Sequence, residues 1–116
     1  MADDFMGLDT IGLQPLDSNL PYTFEVTVCS SATANDGAIP FGLSVTGVVV
    51  VAYSETLGTD VTATMIQGTP TVSSNIVTVD LNWPGAAGRY KLTFKCTLTG
   101  GLVKELDFTR ISALDK

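Results

Sequence analysis

Between Asn75 and Ile111 the apolar side chains fall on every second residue in three successive runs: Val77, Val79, Leu81; then Tyr90, Leu92, Phe94, Cys96, Leu98; then Leu106 and Phe108. Successive side chains of a strand point to opposite faces, so each run marks a strand with one buried face. Turn-forming residues separate the runs at Pro84-Gly85-Ala86-Ala87-Gly88 and at Gly100-Gly101, where glycine lets the chain reverse without a steric penalty. The stretch therefore reads as strand, corner, strand, tight hairpin, strand.

The remaining chain repeats this grammar. Tyr22, Phe24, Val26 and Val28 alternate with Thr23, Glu25 and Thr27, a strand with a dry and a wet side. The polar segment 30–38, with its Asn35-Asp36-Gly37 turn signal, is an exposed loop suited to contact with a partner. Ser44 to Ser54 is a second long strand, apolar on both faces at its centre, with Val48 and Val50 on one side and Val49 and Val51 on the other. A strand buried on both sides needs a second cover, either the N-terminal segment or another subunit. Val61 to Ile66 alternates as a short strand, and a brief one follows at Thr71-Val72. The count is about seven strands spaced by turns every 8 to 12 residues or so, with no helical period.

The expected fold is all-β, an immunoglobulin-like antiparallel β-sandwich, with a jelly roll or small barrel as the alternative pairing. The expected organisation is an N-terminal arm or edge segment over 1–20, one sandwich domain over 21–112 and a polar tail over 113–116. Ile11 and Leu13 are the apolar residues the arm offers to a sheet or a neighbour. A glycine-rich corner running straight into Tyr90 predicts a tyrosine corner, in which the hydroxyl bonds back to the backbone and fixes the bend.

Cys29 and Cys96 could form one bridge between the sheets. However, Cys96 shares the face of Leu92, Phe94 and Leu98, whereas Cys29 is out of phase with Tyr22, Phe24, Val26 and Val28. One thiol should point in and the other out, and a bulge would be needed to bring both inward.

The chemistry-bearing residues are few. The chain has no histidine, which removes the usual general base, the commonest metal ligand and any Ser-His or Cys-His nucleophile pair. Asp3, Asp4, Asp36, Asp60 and Asp80 are scattered, with no spacing that sets two carboxylates against each other across a substrate. Two cysteines without histidine do not make a zinc site, and the Asp36 and Asp60 loops lack the alternating oxygen ligands of a calcium loop. Gly85 to Gly88 opens a strand, whereas phosphate cradles open a helix. No catalytic, metal or cofactor site is expected, and the chain is read as a non-enzyme. Trp83, beside Pro84 at a strand end, is either a cap on the sandwich, an interface anchor or a sugar platform.

Twelve acidic against six basic residues give a net charge of -6, unsuited to gripping nucleic acid or an anionic membrane. The longest apolar run, Val48 to Ala52, is far shorter than the roughly 20 residues of a membrane-crossing helix. The acidic start MADDFMGLDT has no signal-peptide pattern. Synthesis and folding in a cytoplasm are expected, with protein as the partner.

The phrases Val51-Ala52-Tyr53-Ser54, Met65, Gly68-Thr69-Pro70-Thr71-Val72-Ser73, Ile76-Val77-Thr78-Val79, Ala87-Gly88-Arg89-Tyr90-Lys91-Leu92 and Leu102 to Leu106 come in an order that resembles the bacteriophage fiber-tail adaptor group. The likeness covers about the C-terminal half to two thirds of the chain. It implies a small β-sandwich part of a virion, made in the host cytoplasm and assembled in several copies at tail, neck or capsid. Its partners would be other virion proteins and further copies of itself. On that reading Ile11, Leu13, Val49, Val51 and Trp83 are the candidate interface residues, and Tyr90 is structural. The competing expectation is a carbohydrate- or cell-surface-binding module that uses Trp83 and the 30–38 loop.

Overall fold

The computed structural model describes residues 5–6 and 10–114; the rest of the expected arm (1–4, 7–9) and tail (115–116) lies outside the described residues. The strands are β1 (Phe5–Met6), β2 (Ile11–Leu13), β3 (Leu20–Val26), β4 (Val45–Ser54), β5 (Thr59–Asp60), β6 (Ile66–Ser73), β7 (Ile76–Leu81), β8 (Gly88–Leu98) and β9 (Val103–Ala113). One sheet has the order β1-β3-β7-β6 and the other β2-β9-β8-β4-β5. All pairings are antiparallel except that of β2 with β9. This is a two-layer sandwich in the immunoglobulin order, and the two separate sheets settle the choice against a closed barrel.

The inward halves of the alternating runs meet between the sheets. Phe24 and Phe5 from the first sheet pack against Phe94 and Phe108 from the second, with Phe24 and Phe94 ring centres 4.9 Å apart and Phe5 and Phe94 also 4.9 Å apart. Leu13, Met65, Val77, Val79, Leu81 and Leu92 are fully buried around them.

The turns have local causes. Ser74 and Asn75, both at positive φ (51° and 64°), join β6 to β7 in two residues, the backbone that matches a hairpin's right-handed twist. Asn75 also ties this hairpin to the opposite sheet by accepting a hydrogen bond from the Val45 N–H on its Oδ1 at 2.8 Å. The hairpin between β8 and β9 turns at Gly100-Gly101, again at positive φ.

At the corner before β8, the Tyr90 hydroxyl donates to the Ala86 carbonyl at 2.6 Å, and the ring is buried. Tyr90→Phe keeps the ring and leaves that carbonyl without its donor. The expected loss is about 1–3 kcal/mol, read as a lower urea midpoint at unchanged slope.

The segment after β5 departs from expectation. Thr62–Met65 is a single helical turn, α1, where alternation predicted a strand, and Ile66–Ser73 is one strand in place of the brief one at Thr71-Val72. Asp60 starts the turn by accepting the Thr62 N–H on Oδ1 at 2.9 Å. The Met65 N–H closes it on the Val61 carbonyl at 2.9 Å. Val61 and Met65 share an inward side at i and i+4 as well as at period two, so so short a pattern serves either structure. In β6 the register slips between Gln67 and Thr71, around Gly68 and Pro70, which is tolerated because β6 is an edge strand. β1, β2 and β5, of two or three residues each, are too short to carry a period.

Candidate interaction surface

The five candidate interface residues separate into three groups. Ile11 and Leu13 lie on β2, which adds to the free edge of β9 through Ile11↔Ile111 and Leu13↔Ala113. Both side chains are buried in the chain's own core. That corrects their candidacy as contacts for a neighbour, because a partner would have to strip a strand from the sheet to reach them.

Trp83 sits at one end of the sandwich, partly buried against the core. Its indole N–H donates to the Leu114 carbonyl at 2.7 Å, and its backbone N–H donates to the Asp17 carbonyl at 3.0 Å. Of its three possible roles the geometry is that of the cap, binding the end of the turn that leaves β2 to the end of β9.

Val49 and Val51 occupy the outer face of the second sheet. Their inward neighbours Val50 and Ala52 are buried, whereas Val49 is 60% exposed and Tyr53, next in the same outward row, 39%. β2 cannot cover this row, since β9 and β8 lie between it and β4. Across the face, Val49, Val51 and Tyr53 pair with Lys95, Thr93 and Lys91 on β8. Lys95 and Thr93 then pair with Glu105 and Asp107 on β9. The result is an apolar row, a row bearing lysines and an acidic row. Lys91 holds its ammonium 5.5 Å from the Tyr53 ring centre, and the Thr93 hydroxyl donates to Asp107 at 2.8 Å.

At one pole of the molecule the 30–38 loop is held rather than free. Asp36 accepts from the Ser30 hydroxyl at 2.6 Å and the Ser30 N–H at 2.8 Å, and these bonds, the side-chain one first, hold its carboxyl below the usual range. Asp60 is likewise lowered by its bonds from Thr62. Each carboxylate is thus occupied locally, in separate parts of the fold. The loop frames a shallow hollow of about 270 Å³ bordered by Cys29, Ala32, Ala38, Phe41 and Lys104 among others.

The two thiols are free. Cys96 is in the core, and burial pushes its pKa up to about 11, which leaves it an inert thiol at neutral pH. Cys29 lies partly exposed at the hollow, its Sγ 3.6 Å from the Gly37 carbonyl. Among the described residues no three Cys, Asp or Glu side chains converge to hold a metal ion. No helix among them is long and apolar enough to cross a membrane.

Several exposed apolar residues escaped the sequence reading. Leu16 is 98% exposed and Phe41 55%, with Leu57, Leu102 and Val103 similar. Leu16 carried a signal: in Gln14-Pro15-Leu16-Asp17 the proline sets a turn whose next position favours glycine, and leucine stands there. Comparison of the sequence with protein-family models and with curated proteins returned no match.

Proposed function

We propose that this chain is a non-enzymatic structural protein of a tailed-bacteriophage virion, assembling in several copies as an adaptor or decoration component at tail, neck or capsid. The observation that carries the reading is the outward row of the second sheet in which exposed Val49 and Tyr53 flank the half-buried Val51. An antiparallel sheet whose outer face meets only water does not need β-branched apolar residues there, and contiguous apolar patches rimmed by charge mark protein interfaces. The phage-like order of phrases between Val51 and Leu106 supports the virion setting. The net charge of -6 favours protein partners, namely other virion proteins and further copies of the chain, over nucleic acid. Assembly would follow folding in the host cytoplasm.

The carbohydrate-binding alternative has less support, because Trp83 is partly buried and donates its only side-chain N–H within the chain. Mass spectrometry of purified, nuclease-treated phage particles tests the proposal. Peptides of this chain should appear at several copies per particle, and their absence from intact particles overturns it.

A further inference from the structure

Leu16 combines two costs. It adopts φ of 77°, a left-handed conformation that is an outlier for a bulky side chain, and it leaves that side chain 98% exposed. The turn is held in this state from both ends: the Asp17 N–H donates to the Gln14 carbonyl at 3.0 Å, and the Gln14 N–H donates to Asp17 Oδ2 at 2.7 Å. Strain kept in place by its surroundings is commonly found at active sites, ligand clamps and switch regions.

The placement of the turn bears on what it could meet. β2 runs parallel to β9, so the turn projects past the C-terminal end of β9, beside Leu114, which donates its N–H to the Leu13 carbonyl. The hollow lined by Cys29, Phe41 and Lys104 lies at the other end of β9, whose 11 residues span about 36 Å of a molecule 46 Å long. The poles therefore carry different features on one axis. One presents a leucine knob followed by Asp17, and the other a hollow rimmed by the exposed ring of Phe41. Lys104, at the hollow, has no carboxylate partner among the described residues. The hollow is open and bordered by Ser31 and Asn35 as well as Ala32, Ala34 and Phe41. Its volume of about 270 Å³ is larger than the roughly 150 Å³ enclosed cavity that accepts a benzene ring, so a leucine side chain fits by size.

We propose that the Leu16 turn of one copy seats in the Cys29–Phe41–Lys104 hollow of the next, joining copies of this chain head to tail, with Asp17 facing Lys104. The occupant is a second copy on the multi-copy reading, and between two copies Asp17 meets Lys104 only in this sense. Bringing two Leu16 poles together sets Asp17 against Asp17, and bringing two hollows together sets Lys104 against Lys104. Such a contact uses two different patches and propagates as a ring or a filament rather than stopping at a dimer. It rests on the multi-copy reading above and adds to it which surfaces meet along the chain of subunits.

Cys29 at the hollow supplies the test. The full chain bearing Leu16→Cys, oxidised with copper phenanthroline at high protein concentration, should give a ladder of disulfide-linked multimers on a non-reducing gel. Adding Cys29→Ala should abolish that ladder. Dimers alone that survive Cys29→Ala, or no cross-link at all, overturn the proposal. The second variant, Leu16→Gly, relieves the left-handed strain while removing the knob. Its melting temperature should be unchanged or raised while multimers seen by sedimentation of the unaltered chain are lost. Multimers that persist in Leu16→Gly overturn the head-to-tail contact yet leave multi-copy assembly standing, whereas absence of the chain from particles overturns that reading separately.

Discussion

Phe24→Ala should lower the free energy of unfolding by about 3–5 kcal/mol, a large share of the roughly 5–15 kcal/mol that holds a domain together. Phe24 is completely buried, with its ring centre 5.7 Å from Phe5, 4.9 Å from Phe94 and 5.3 Å from Phe108. Three tilted or edge-on aromatic pairs are lost at once, each contributing about 0.5–1.5 kcal/mol beyond simple burial. The void cannot close easily. Phe94 sits on β8, which has a strand on both sides, and Phe108 on β9 is paired to β8 through Leu92↔Phe108, so their backbones cannot move inward without breaking ladders. Only Phe5, on the two-residue strand β1, could shift, and β1 pairs with β3 directly beside the vacancy through Phe5↔Val26. Urea unfolding should show the midpoint falling at constant slope, and Thr23→Ala on the opposite, exposed side of the strand should move it by no more than about 0.5 kcal/mol. If the two variants were equally stable, Phe24 would not lie at the junction of the sheets.

That core was legible in the sequence because each of its strands is long enough to state its period. β7, β8 and β9 bury Val77, Val79, Leu81, Tyr90, Leu92, Phe94, Cys96, Leu98, Leu106 and Phe108, the set that alternation selects. The tyrosine corner was legible for a different reason, since a glycine-rich bend entering a strand at tyrosine is local chemistry. Where the reading failed, the deciding information was not local. Val61, Ala63 and Met65 fit a strand and a helical turn alike, and the turn forms because Asp60 captures the Thr62 N–H. Ile11 and Leu13 looked available to a neighbour because three residues cannot announce that they will pair with β9, a hundred positions away along the chain. For the outer face the sequence showed the doubly apolar centre of β4, but only the strand order shows that β2, set apart from β4 by β9 and β8, does not cover Val49 and Val51. In the Leu16 turn the informative residue is the leucine, which stands after Pro15 where glycine is the easy choice.

Gly37→Ala should cost roughly 2–4 kcal/mol, with the damage confined to one end of the molecule. A Cβ at this position would fall 2.4 Å from Cys29 N, 2.4 Å from the Val28 carbonyl carbon and 2.8 Å from its oxygen. All three are backbone atoms, so no side chain can swing aside. The loop must lift instead, and three short bonds hold it down: Cys29 N–H to the Ile39 carbonyl at 2.9 Å, Ala38 N–H to the Thr27 carbonyl at 2.8 Å and Ile39 N–H to the same carbonyl at 3.1 Å. At about 1 kcal/mol each, with Ile39 and Ala38 withdrawn from the core, the loss reaches the stated range. Gly42 gives the contrast. It adopts φ of +84° but has nothing within 4 Å of a Cβ, so Gly42→Ala meets only the left-handed penalty of about 1–2 kcal/mol. Hydrogen exchange separates the two. In Gly37→Ala the Cys29, Ala38 and Ile39 amides should exchange faster and Cys29 should alkylate faster, while the Phe24 and Phe94 amides keep their protection. Because the lifted loop no longer frames the hollow, the same substitution should also weaken the Leu16→Cys ladder. Unchanged exchange at Cys29 and Ile39 would mean that the chain does not approach itself at Gly37, and the hollow would then lack the wall on which head-to-tail seating depends.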